Sequence, residues 1–223
     1  MNELDSESTR DAVGFVLAGG RSTRMGEDKS LVRFAGQPLV AHALGALRGA
    51  GLATSLVGAA STFDTFAPII PDQEPWLGPL GGICAALAST SAAWAVFLPV
   101  DMPLLPVSLL DFLIRSAIIA GGTVTVPSVN GFAQTFPVVL SRRVLPTLEA
   151  DLKAGRRGCF SAFQAAAADL ARPMAVLPVE MAVQSGHVAH PEGLASSRWF
   201  LNINAAEELR RAHEYSHPSY RVS

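Results

Sequence analysis

Three cations and three glycines crowd into one short stretch near the amino terminus, Gly19-Gly20-Arg21-Ser22-Thr23-Arg24-Met25-Gly26-Glu27-Asp28-Lys29. Glycine lets the backbone approach a ligand closely and turn its N–H groups toward an anion. Arginine grips a phosphate through two parallel hydrogen bonds, and lysine adds a point charge. Arg21, Arg24 and Lys29 therefore describe a phosphate cradle. A dinucleotide fingerprint needs G-x-G-x-x-G, and a P-loop needs Gly directly before Lys-Ser, so neither spacing fits. Two carboxylates, Asp72 and Asp101, each close an apolar run. A carboxylate facing a phosphate cradle is placed to hold a hard cation, because magnesium usually binds one or two carboxylates plus phosphates and waters. Asp101 is the better metal candidate, since the run before it is apolar throughout and Met102-Pro103 stiffens the exit. The histidines, His42, His187, His190, His213 and His217, form no Ser-His-Asp or Cys-His arrangement. That suits phosphoryl chemistry, which needs positioning and charge neutralisation more than a covalent residue.

These residues need elements to hold them. Val13–Ala18 has the length and composition of a buried strand that ends at the glycine pair. Leu31–Phe34 is a short extended piece, and Pro38 opens a helix striped by Leu39, Ala43, Leu44 and Leu47. Strands are expected at Thr54–Val57 and Phe66–Ile70. Gly78-Pro79-Leu80-Gly81-Gly82 is a turn that opens a second helix. Trp94–Val100 is the most convincing central strand, apolar as in a sheet covered on both faces. A helix from Pro106 to about Ile119 follows, then strands at Thr123–Val126 and Thr135–Leu140. Helices are expected over Arg142–Leu152 and Phe160–Ala168, a strand at Ala175–Val179, a loop over 180–198, a last strand at Trp199–Ile203 and a closing helix at Ala205–His213. Alternating strands and helices predict an α/β, doubly wound, mostly parallel sheet of Rossmann-like, three-layer α/β/α type, with its ligand crevice beyond the carboxyl ends of the strands. One domain over 13–215 is expected, between a disordered lead-in at 1–12 and a tail at 216–223.

Seventeen Lys plus Arg against nineteen Asp plus Glu give a net charge of -2, which supplies no electrostatic case for a nucleic-acid or anionic-membrane partner. Cys84 and Cys159 lack C-x-x-C spacing and read as free thiols of a reducing compartment. No apolar run reaches the roughly 18 residues of a membrane helix, and the polar, acidic start is no signal peptide, so cytoplasm is the expectation.

The stretch Leu17-Ala18-Gly19-Gly20-x-Ser22-x-Arg24-Met25-Gly26-x-Asp28-Lys29 resembles the opening signature of the molybdenum cofactor guanylyltransferases, the MobA family of nucleotidyltransferases. Three later motifs keep the family's order: Gly78-Pro79-Leu80-Gly81-Gly82, Pro99-Val100-Asp101-Met102-Pro103 and Phe200-Leu201-Asn202-Ile203-Asn204-Ala205-Ala206-Glu207-Glu208-Leu209. The resemblance implies GMP transfer from GTP to the phosphate of molybdopterin with Mg²⁺ as cofactor. By it, Leu17, Ala18, Gly19, Gly20, Lys29, Asp72, Gly78 and Asp101 would contact the nucleotide, and Asp101 would bind the metal. Arg24 would sit on the phosphates, and Lys29, Arg24 and Asp101 would be the catalytic set. Asn202 and Asn204 would line the site near the second substrate, and Arg157 would face the pterin. A molybdoenzyme or cofactor-delivery protein is the partner it implies. The chain departs from the family pattern after Val57, where Gly58-Ala59-Ala60 replaces an Asn on the guanine side, and at Ala205-Ala206, which replaces a Thr-Pro helix start. The rival readings are a cytidylyltransferase for the same pterin, another small-molecule nucleotidyltransferase, and a non-catalytic nucleotide-binding delivery protein.

Overall fold

A computed structural model describes residues 11–19, 28–71 and 77–215. In chain order these form β1 (Ala12–Leu17), β2 (Arg33–Phe34), β3 (Gln37–Pro38), α1 (Leu39–Gly49), β4 (Ala53–Val57), β5 (Ile69–Ile70), α2 (Gly78–Ser89), β6 (Trp94–Pro99), α3 (Val107–Ala120), β7 (Val124–Val129), β8 (Phe132–Ala133), β9 (Val138–Ser141), α4 (Leu145–Lys153), α5 (Cys159–Asp169), β10 (Ala175–Pro178), α6 (Val179–Gln184) and α7 (Ala206–Tyr215). The eight-stranded sheet runs β10-β7-β9-β6-β1-β4-β5, with β8 paired to β7. β1 lies parallel to β4 and β6, β4 to β5, and β10 to β7, whereas β9 is antiparallel to both β6 and β7. The sheet is mostly parallel, as expected, with one reversed strand inserted.

Both faces are covered, which is why β1 and β6 are apolar at every position rather than alternating. Val16, Val96 and Leu98 point to one face, where they meet Leu44 and Leu47 of α1 and Leu110 and Leu113 of α3. Phe15, Leu17 and Phe97 point to the other, against Ile83 and Leu87 of α2, Leu148 of α4 and Phe163 of α5. The result is three layers. Gly14 lets α1 come close to β1: a Cβ there would lie 3.2 Å from Leu47.

Several boundaries differ from the sequence reading. Trp199–Ile203 is not a strand but a turn and loop after a 3-10 turn at Ser196–Arg198. Its apolar residues anchor a loop: Trp199 and Ile203 are both buried, and the Trp199 indole N–H donates to the Leu194 carbonyl at 2.7 Å. The 180–198 stretch is not all loop, because α6 occupies its start and buries Val179 and Ala182, three residues apart. β5 is only Ile69–Ile70, and Phe66 belongs to the turn before it. Lys29–Leu31 is a 3-10 turn, followed by the β2–β3 hairpin through Ala35 and Gly36, both at positive φ. Thr135–Phe136 is a turn, with β9 beginning at Val138. Pro38 stands just before α1 rather than in its first turn. Ala12 already belongs to β1, so the expected lead-in is shorter; its residues 1–10, and the tail at 216–223, lie outside the described residues.

Candidate active site

β1 and β6 end side by side. The Val100 N–H donates to the Leu17 carbonyl at 3.3 Å, so the two chains stay paired to the residue before Asp101. On the near side, Asp28 caps the 3-10 turn of Lys29–Leu31 by accepting the Ser30 N–H at 2.9 Å. That cap fixes where Lys29 leaves the backbone. Lys29 Nζ donates to Asp101 Oδ2 at 2.6 Å and to Asn204 Oδ1 at 2.5 Å. On the far side, the Ile203 N–H donates to the Asp101 carbonyl at 2.9 Å and holds Asn202 and Asn204 beside the carboxylate. Three widely separated segments thus meet on one lysine.

The Lys29 and Asp101 side chains are only 16% and 17% exposed. They sit in a cleft of about 400 Å³, lined also by Leu17, Gly19, Pro79, Asn202 and Phe136. Gly78, at positive φ, starts α2 and brings Pro79 to the cleft wall. Asp101 Oδ1 is buried and has no hydrogen-bond partner among the described residues. A hard oxygen donor left open beside a bound phosphate is what a divalent cation requires. Among the described residues no group of three or more His, Cys, Asp or Glu is placed to hold a metal. Asp101 would be a carboxylate ligand for such a cation.

The expected backbone cradle is changed at its start. The Ala18 and Gly19 N–H groups both donate to the Val57 carbonyl, at 3.0 and 3.1 Å, so neither is available to an anion. These bonds tie the end of β1 to β4. Glycine at 19 also allows a close approach of two chain segments, since a Cβ would lie 3.2 Å from the Gly58 Cα and carbonyl oxygen. Gly20, Arg21, Arg24 and Asp72 lie outside the described residues. Arg157 is exposed on the turn between α4 and α5, outside the lining of this cleft. His42 is structural, with Nε2 2.7 Å from the Phe34 carbonyl.

Sequence reasoning missed one wall of the cleft, Gln134-Thr135-Phe136. The turn that presents it was signalled by Asn130-Gly131, a two-residue hairpin pair with positive φ at both positions, here joining β7 to β8. The Gln134 N–H donates to the Pro127 carbonyl at 2.8 Å and fixes the wall against β7.

A family profile described as the MobA-like NTP transferase domain matches residues 14–170. The chain belongs to that family. A molybdenum cofactor guanylyltransferase of Pseudomonas putida is 39% identical over 147 residues, covering 64% of this chain and 76% of that protein. One from Vibrio cholerae is 36% identical over 152 residues, covering 66% and 74%. The crystal structure of molybdopterin-guanine dinucleotide biosynthesis protein A from Archaeoglobus fulgidus has the same fold, with a TM-score of 0.70 over 90% of this chain and 96% of that one at 22% identity. Membership of the MobA-like family makes the chain a nucleotidyltransferase and sets the Lys29–Asp101 cleft in an α/β framework built for nucleotides. Among the described residues no helix is long and apolar enough to cross a membrane.

Proposed function

We propose that this chain transfers GMP from GTP to the terminal phosphate of molybdopterin, giving the guanine dinucleotide form of the cofactor and pyrophosphate. The observation that carries the reading is Lys29 held between Asp101 and Asn204 at the carboxyl ends of β1 and β6. A molybdopterin phosphate oxygen forms the new bond to the α-phosphorus of GTP, and the bond from that phosphorus to the β-phosphate oxygen breaks. A phosphate monoester has a second pKa of about 6 and arrives largely dianionic, so no protein base is needed. That agrees with a cleft whose described lining contains no histidine.

The chain's task is to bring two anions together. Lys29 has three N–H donors, two of them committed to Asp101 and Asn204, and the third is left to neutralise triphosphate charge. Asn202 and Asn204 orient the incoming phosphate, Pro79 and Leu17 exclude water, and Arg24 and Asp72 are assigned to the phosphates and the nucleotide. Asp101 would hold the divalent ion, magnesium in this reading, which supplies Lewis-acid screening of the reacting phosphates. We place the reaction in the cytoplasm, in keeping with two free thiols.

The test is turnover of the whole chain with GTP, Mg²⁺ and molybdopterin, read as dinucleotide formed and pyrophosphate released. Lys29→Ala is expected to lower kcat about 100-fold or more, as loss of a charge-stabilising group does, with unchanged circular dichroism. Near-normal turnover of that variant would sink the assignment. CTP in place of GTP tests the base: equal rates would make the chain a transferase without guanine preference.

A further inference from the structure

We infer a second ligand site, at the end of the sheet opposite Asp101, that takes a phosphate-bearing small molecule of nucleoside monophosphate size. It goes beyond the transfer reaction and stands on separate residues. A cavity of about 640 Å³ opens at the amino ends of β6 and β7. Along β6, at about 3.3 Å per residue, it lies roughly 20 Å from Asp101.

Three arginines line it: Arg142 and Arg143, which follow β9, and Arg172, which follows α5. Two are set in place by backbone carbonyls. Arg142 donates through Nε to Leu87 at 3.4 Å, and Arg172 through Nη1 to Gly121 at 3.1 Å. Their remaining guanidinium N–H groups, and all of those on Arg143, have no partner among the described residues, and none of the three is ion-paired there. Asp11, whose carbonyl accepts the Trp94 N–H, has its carboxylate on the Ala93 N–H at 3.0 Å, and Asp169, three residues before Arg172, accepts the Thr147 hydroxyl at 2.7 Å.

The rest of the wall suits a flat, phosphate-bearing ligand. Thr123, also on the cavity wall, is 1% exposed, and its hydroxyl has no hydrogen-bond partner among the described residues. That hydroxyl is sealed from solvent, so contact with a ligand falls to the three exposed arginines. The start of α4 lies on the same wall, where the Leu145 N–H already donates to the Arg142 carbonyl and Pro146 has none, so it adds only the positive end of the helix dipole. Planar guanidinium forks match phosphoryl oxygens. The half-buried Trp94 supplies a flat wall, and the volume exceeds what inorganic phosphate alone would fill.

The experiment is calorimetric titration of GMP into the full chain, with the Trp94 indole resonance followed by NMR and assigned through Trp94→Phe. Binding is expected to shift that resonance and to weaken about tenfold or more in Arg143→Ala/Arg172→Ala, the loss of charge-assisted hydrogen bonds. Lys29→Ala should leave this binding unchanged, and the double arginine variant should retain transfer activity and its melting temperature. Displacement of GMP by excess inorganic phosphate supports recognition of the phosphoryl group. Failure to displace, an unshifted Trp94 resonance, or equal affinity in the double arginine variant would each overturn the proposal.

Discussion

At the scale of single residues, Asp101 meets two demands with two oxygens. Oδ2 orients Lys29, and Oδ1 is kept buried and open. The thiols show the opposite case, groups kept out of chemistry. Burial pushes Cys84 up to about 12, with Glu149 and then Cys159 adding to it, and burial pushes Cys159 to about 11 against a backbone hydrogen bond that lowers it. Both stay protonated at neutral pH and are poor nucleophiles. The folded pKa of Cys84 lies above the ordinary value of 9.0, so the fold favours the neutral thiol. That contribution to stability is complete below about pH 9 and is lost as pH rises toward about 12. Melting temperatures measured from neutral to alkaline pH should therefore fall more steeply above about pH 9 for the parent than for Cys84→Ala. Parallel curves would remove the burial argument.

At the scale of elements, the start of α2 shows how tightly a motif glycine is held. A Cβ on Gly81 would lie 2.4 Å from the Leu77 Cβ, close to the backbone where no rotamer change relieves it. Gly81→Ala is expected to destabilise the chain by about 1–3 kcal/mol in urea unfolding, as overpacking does. It should also raise KM for the nucleotide, because Pro79 on the cleft wall moves with the helix start. An unchanged urea midpoint and KM would show that the turn accommodates the methyl group. The elements readable from sequence were those with a strong period or full burial: β1, β6, α1, α3 and α5 fall within a few residues of expectation. Short pieces failed for a different reason. Trp199, Phe200 and Ile203 are apolar because a loop is pinned into the core, and composition cannot distinguish that from a strand. α6 is six residues long, too short for its period to stand out from the surrounding Gly and Ser.

At the scale of the whole molecule, Lys29 and Asp101 were readable as site candidates because each follows a strand that could be recognised. That Lys29 would bridge to Asn204 was not, since the contact spans 175 residues and depends on a loop carried to the sheet edge. The reversed β9 was equally hidden, because Val138–Ser141 is buried on both faces and carries no mark of direction. Its insertion between β6 and β7 brings Phe136 to the same cleft as Asp101, so the nucleotide edge is closed by both halves of the sheet. Ligand binding should consequently be felt by the entire fold. At a hundredfold excess over Kd, linkage contributes about 2.7 kcal/mol, and a chain of this size gains about 2–4 °C per kcal/mol. GTP with Mg²⁺ is thus expected to raise Tm by roughly 5–10 °C, with smaller shifts for CTP and ATP at the same concentration. In Asp101→Ala the part of the shift that depends on the metal should vanish, while Arg143→Ala/Arg172→Ala should keep it. Equal shifts for all three nucleotides would leave nucleotide binding standing and remove the guanine preference. A metal-dependent shift surviving in Asp101→Ala would move the cation to another ligand.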